Sequence, residues 1–191
     1  MVDIALTHFQ AEKLGVNADY AMAVKYATLA SHYAKDKQTA AAAASLLGFF
    51  FQEGNGLSSS ENLATHYLGT AVKYDASPYE AGFLEYHYGV CLMFKAEHLY
   101  PFQLTGYNIL PRALFWLEKS SNAGQSSAKN AIKRMKEGEA GKCNACKATE
   151  ASSGKKFLRC GRCKLYYYCS KKCQMEAWNA GHKVDCKSVY D

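Results

Sequence analysis

The chain holds 191 residues, 49% of them hydrophobic, with a formal net charge of +6; this is material for one ordinary domain or two small ones, and too apolar for a disordered chain. Its longest apolar run, Ala40 to Phe51, is interrupted by Ser45 and is shorter than the roughly 18 residues a bilayer span needs, so it reads as a buried helix. The N-terminus, MVDIALTHFQAEK, has neither the basic start nor the apolar stretch of a signal peptide, which points to the cytosol or nucleus.

Residues 1–137 read as helices: rich in Ala, Leu, Tyr and Phe, without proline before Pro78, and with few strand-like alternations. They also repeat. Ala23, Tyr26 and Ala30 recur as Ala64, Tyr67 and Ala71, and Gly15 and Ala40 recur as Gly56 and Ala81, all at a shift of 41 residues. Ala113, Trp116 and Ser120 form a third copy 49 residues later, the extra length fitting an expanded loop within Ala96 to Leu110 that contains Pro101 and Gly106. Spacing of i, i+3, i+7 puts each triplet on one helix face, where small residues admit a neighbouring helix and the aromatic fills the groove beside them. A unit of this kind cannot bury its face alone, so copies stack; a generic helical bundle with coincidental spacing is the alternative.

The segments SLLGFFFQEGNGLSSSENLATHYLGTAV and RALFWLEKSSNAGQSSA resemble Sel-one-like repeats, relatives of the tetratricopeptide repeat. The resemblance covers most of residues 1–130 and implies an α/α solenoid acting as a protein-binding scaffold, with no catalysis. The first unit lacks the usual glycine of its opening helix. A last helix, about Ser126 to Lys136, caps the stack, and residues 138–142 read as a short linker.

Seven of the eight cysteines fall after residue 142, which in a reducing compartment argues for metal rather than disulfides. They come in pairs: Cys143 with Cys146, Cys160 with Cys163, Cys169 with Cys173, and His182 with Cys186. Eight ligands make two tetrahedral zinc sites. The apolar side chains between Lys142 and Asp191 are too few for a core, so this segment is expected to fold only with metal, and to unfold without it while the helical part survives. KFLRCGRC and KLYYYCS read as short strands; Ser170 suits the N-cap of a helix running to about Asn179, with Gly181 at its exit.

His182 is seventh of the eight ligands, unlike the order in RING or PHD modules, and RCKLYYYCSKKCQMEAWNAGHKVDC closely resembles the MYND-type zinc finger over residues 143–186. The gap between Trp178 and His182 is slightly longer than the commonest form. The resemblance implies a cross-braced fold in which Cys143, Cys146, Cys169 and Cys173 hold one zinc and Cys160, Cys163, His182 and Cys186 the other. Spacing alone leaves a sequential arrangement open. The resemblance further implies binding of short proline-containing peptides, the matching positions being Gln174 and Trp178 at i, i+4; the alternative is that Trp178 only packs over the zinc core.

Charge is uneven: residues 1–141 carry 12 basic and 13 acidic side chains, residues 142–191 carry 11 and 4. Nucleic-acid binding is one reading of that excess. The other is compensation, since seven thiolates and two zinc ions bring the finger from +7 to about +4. His87 and Cys91, at i, i+4 in an aromatic-rich helix without a third group, read as core packing, and His8, His32, His66 and His98 as structural or exposed. The expectation is a non-enzymatic, zinc-binding interaction adaptor with protein partners and no membrane association. Too few residues follow Cys186 for a SET methyltransferase domain. A nucleic-acid-binding finger, or a regulatory subunit of a separate enzyme, is the alternative.

Overall fold

The computed structural model describes residues 1–10, 17–74, 80–99 and 109–186. Gly15, Pro101, Gly106 and the side chain of His98 lie outside the described residues. The chain divides into two compact units, Met1–Cys91 and Leu92–Asp191, so the two helices preceding the finger group with it rather than with the N-terminal helices.

In the first unit α1 (Val2–Phe9) precedes α2 (Tyr20–Tyr33), α3 (Lys37–Glu53) and α4 (Glu61–Ala71), and α5 (Phe83–Leu99) begins. Starts and stops are local. The Asp19, Asp36 and Ser60 side chains accept from the amides of Met22, Thr39 and Leu63, satisfying donors that the first helical turn leaves free, and Gly54 ends α3 in the left-handed conformation.

The repeated small residues are the contact surface. Ala23, Ala30, Ala64 and Ala71 are all fully buried, and Tyr26 and Tyr67 pack on the cluster of Ala5, Ala23, Ala27, Leu46, Leu47 and Phe50. The match of Ala40 with Ala81 does not share this basis: Ala40 sits in the first turn of α3, whereas Ala81 lies in the turn before α5. Gly48 lets α3 and α4 approach, since a Cβ there would stand 2.6 Å from Leu68 Cγ. Gly56, at φ +73°, would place a Cβ 2.7 Å from the carbonyl oxygen of Tyr20.

His87 and Cys91 lie inside this unit, 9% and 3% exposed. The His87 Nδ1–H donates to Gln52 Oε1 at 2.8 Å, and Phe83 and Phe49 pack against its ring. Burial pushes the imidazole down to about 4. Burial, aided by Glu61 and Glu53, pushes the Cys91 thiol up to about 12. Both groups are therefore neutral near pH 7, the opposite of an ion-paired nucleophile and base.

The second unit contains the end of α5, then α6 (Leu110–Asn122), α7 (Ser126–Glu139), a short α8 (Glu150–Ser153), strands β1 (Leu158–Arg159) and β2 (Tyr167–Tyr168), α9 (Lys171–Ala177), a π-helical turn (Trp178–His182) and α10 (Lys183–Asp185). Ala113 and Ser120, the small members of the third triplet, are again fully buried, with Leu117 between them and Ala128, Ala131 and Met135 buried on α7. Lys136 pairs with Glu118 across this hairpin at 2.9 Å. Helix α7 continues to Glu139, into the segment expected as linker, and α10 contacts α6. No helix among the described residues is long and apolar enough to cross a membrane.

Two outcomes are expected for the first unit. Gly56→Ala should destabilise by about 2 kcal/mol or more, because strained backbone and a clash with backbone act together; urea unfolding followed by circular dichroism reads this. His87 takes up a proton in the unfolded chain near pH 6.5 and in the folded one only near 4, so its contribution is complete above pH 6.5 and is lost as pH falls toward 4. Between pH 7.5 and 5, wild type should lose about 2 kcal/mol more than His87→Gln in the same assay.

Candidate metal centre

The ligands are presented by two matching knuckles and two helical turns. In the first knuckle the Lys147 amide donates to the Cys143 carbonyl at 2.9 Å; in the second the Lys164 amide donates to the Cys160 carbonyl at 3.1 Å. Lys147 (φ +63°) and Lys164 (φ +49°) are the described non-glycine residues of positive φ, each immediately after the second cysteine of its pair. This left-handed residue turns the chain so that both sulfurs face one point, at a conformational cost ordinarily avoided by glycine. The sequence reading missed it; the position directly after each Cys-x-x-Cys pair was the available signal.

Strand pairing then brings distant pairs together. Leu158 opposes Tyr168 and Arg159 opposes Tyr167 in an antiparallel ladder, closed by the Cys160 amide donating to the Tyr166 carbonyl. The first knuckle joins the other edge, where the Asn144 amide donates to the Tyr167 carbonyl at 2.8 Å. Cys169 leaves β2, and Ser170 caps α9 by accepting from the Cys173 amide at 3.2 Å, which fixes Cys173 on the first turn.

Helix α9 spans Lys171–Ala177, helical backbone runs on from Trp178, and the helix breaks at Gly181 (φ +129°), the exit expected. The kink at Gly181 separates this helix from His182, and α10 follows. His182 thereby points Nε2 at Cys160 Sγ, 3.3 Å away, between the rings of Tyr166, Tyr168 and Trp178.

Two ligand clusters result. Cys143, Cys146, Cys169 and Cys173 form one; Cys160, Cys163, His182 and Cys186 form the other, and within each the donor atoms lie within 4.8 Å of one another. Alternate pairs share a cluster, so the arrangement is cross-braced and not sequential. Sulfur–sulfur separations are 3.5 Å for Cys146–Cys169 and Cys169–Cys173 and 3.7 Å for Cys160–Cys186. A tetrahedron with zinc–sulfur bonds of about 2.3 Å has edges of about 3.8 Å, so the cages have the size of the ion. The same distances exclude disulfides, which need about 2.05 Å.

Ionisation leads to the same ion. A hydrogen bond from the Cys163 thiol, opposed by burial and helped by His182, holds Cys160 down to about 3, and Cys163 is pushed up in return. Burial works against ionising Cys143, yet amides of Cys146 and Cys169 bring it down to about 6, while Cys169 is pushed up to about 12 by its Cys173 and Cys146 neighbours. A proton-only cluster thus settles on a thiolate held by protonated neighbours. Ionising every sulfur of a site, four in the first and three in the second, requires a dication among them. The Nδ1 of His182 and the hydroxyl of Tyr168 are buried without a hydrogen-bond partner among the described residues.

The two sites differ in access. All four ligands of the second are buried, whereas Cys146 and Cys169 of the first are exposed. Zinc should therefore leave in two phases of one equivalent each when a chromogenic chelator is added, the fast phase from the first site. Cys146→Ser should remove the fast phase and leave the slow one, and a fast phase that survives this substitution would contradict the assignment.

Residues 140–186 match the MYND finger family. A SET and MYND domain-containing protein of Dictyostelium discoideum is 50% identical over 38 residues, 20% of this chain and 7% of the relative. Ubiquitin carboxyl-terminal hydrolase 17 of Arabidopsis thaliana is 53% identical over 30 residues, 16% of this chain and 4% of the relative. Ubiquitin carboxyl-terminal hydrolase 16 of the same plant is 53% identical over 36 residues, 17% and 4% of the two chains. The chain thus spans less than a tenth of the length of these relatives. No solved structure matches it. With the family match and two cages of zinc size on the same residues, residues 140–186 are a MYND finger, a zinc-binding protein-interaction module.

Proposed function

We propose that the chain is a non-catalytic interaction adaptor, in which the MYND finger captures short proline-containing peptides on Gln174 and Trp178 and the helical hairpins, as Sel-one-like repeats of a solenoid, serve as scaffold. The observation that carries the reading is the contrast among the finger's aromatics. Tyr166 and Tyr168 are 1% and 0% exposed, whereas Trp178 is 38% exposed. A tryptophan needed only to cover the zinc core would be buried like the tyrosines. Here the indole packs edge-to-face with His182, ring centroids 5.9 Å apart, while more than a third of the residue meets solvent.

Gln174 lies one helical turn before it, half-buried, and Met175 and Val184 are also exposed in this part of the finger. A flat indole offers an apolar platform for a proline ring, and a side-chain amide offers both a donor and an acceptor to an extended peptide backbone. The reduced thiols that the metal requires fit the cytosol or nucleus as the compartment. The neutral His87–Cys91 pair offers no activated nucleophile, which favours the non-catalytic reading.

The test is an array of proline-containing peptides probed with the zinc-loaded full chain. Trp178→Ala should weaken capture about 10- to 30-fold, the range for an aromatic anchor, with two zinc ions retained. Cys160→Ala should lose peptide and metal together. Equal capture by wild type and Trp178→Ala would make the finger a structural element and move the search to the helices.

A further inference from the structure

A second surface in the Leu92–Asp191 unit has different chemistry. A half-open groove of about 560 Å³ runs beside the end of α7 and the first zinc knuckle. Its apolar lining is Met93, Ala96, Leu110 and Met135; Met93, Ala96 and Met135 are at most 7% exposed and so form a fixed floor. Around that floor stand Arg134, Lys142 and Lys147, with Glu139 as the acidic residue among the described lining residues. Neither Gln174 nor Trp178 belongs to it.

The cations are held in place by the fold. Lys142 Nζ donates to the Gly138 carbonyl at 2.8 Å and Lys147 Nζ to the Asn144 carbonyl at 2.9 Å. Burial pushes the Glu139 carboxyl above its ordinary range, against the pull of Lys147 and Lys142 beside it, so the residue stands as these lysines' neighbour within the groove. Arg134 lies five residues earlier on α7, about 7.5 Å along the axis. Cations spread over that length suit several anionic groups on an extended chain better than one small carboxylate, and the apolar floor argues against a purely phosphate-bearing ligand.

We propose that this groove binds an acidic peptide segment, an apolar side chain of leucine size entering between Met93, Leu110 and Met135 while flanking carboxylates pair with Arg134, Lys142 and Lys147. Glu139 competes with the incoming carboxylates for the lysines and thereby limits affinity. The surface is separate from the Trp178 face and does not depend on the reading given to that face.

The experiment is fluorescence anisotropy of a labelled Asp-Glu-Leu-Asp-Glu peptide titrated with the zinc-loaded full chain. Saturable binding is expected, weakened at least about tenfold by Arg134→Glu, tightened about threefold by Glu139→Gln, and unchanged by Trp178→Ala, magnitudes typical of single interfacial charges. Because the two groove variants move affinity in opposite directions, misfolding cannot imitate the pair, and zinc content checks each one. Replacing the peptide's leucine by serine should also weaken it. The proposal is overturned if wild type shows no saturable binding, if Arg134→Glu binds equally, if the serine peptide matches the leucine peptide, or if binding disappears with Trp178→Ala.

Discussion

Repulsion between thiolates is the constraint on which the finger depends. The four sulfurs of the first site, within 4.8 Å of one another, cannot all ionise in the absence of a cation, and neither can the three of the second. Each local choice in the finger resolves part of this problem. Left-handed Lys147 and Lys164 converge the sulfurs of each knuckle, and amides aimed at sulfur, such as Cys169 N to Cys143 Sγ at 3.4 Å, lessen their charge. The short β1–β2 ladder supplies register where apolar packing cannot. Because ligand pairs alternate between sites, each ion ties together segments that flank the other's ligands.

The helices solve the opposite problem, having abundant apolar surface to bury. Their device is close approach. Fully buried alanines on α2 and α4, and Gly48 on α3, bring backbones near enough for large residues such as Phe50 and Leu68 to fill what remains. Ala113 and Ser120 do the same on α6, within the unit that holds the finger. The grouping of α6 and α7 with the finger also alters the expectation that all the helices would be indifferent to metal, since α10 contacts α6.

Most of the metal centre was legible in the sequence because ligation depends on residue type and spacing, and both are written there. The eight ligands, the cap at Ser170 and the two strands required no tertiary information. The cross-brace was not readable from spacing, since either pairing satisfies the same gaps; the Asn144–Tyr167 and Cys160–Tyr166 backbone bonds decide it in three dimensions. The recurrence of small residues located the buried faces correctly, yet matched Ala40 to Ala81, where alanine's abundance imitates a repeat. The groove beside α7 was invisible because Met93, Leu110, Glu139 and Lys147 come from separate elements and share no motif.

The kink at Gly181, between Trp178 and His182, has a consequence for how such fingers vary. It lies between the exposed ring and the buried imidazole, so a residue can be gained or lost there while ligand and platform each keep their own support, α9 for one and the sulfur cage for the other. Gly181 makes the adjustment possible, since φ +129° is open to glycine and to almost nothing else. The kink therefore works as an expansion joint: length can change in the covering surface without being transmitted to the metal.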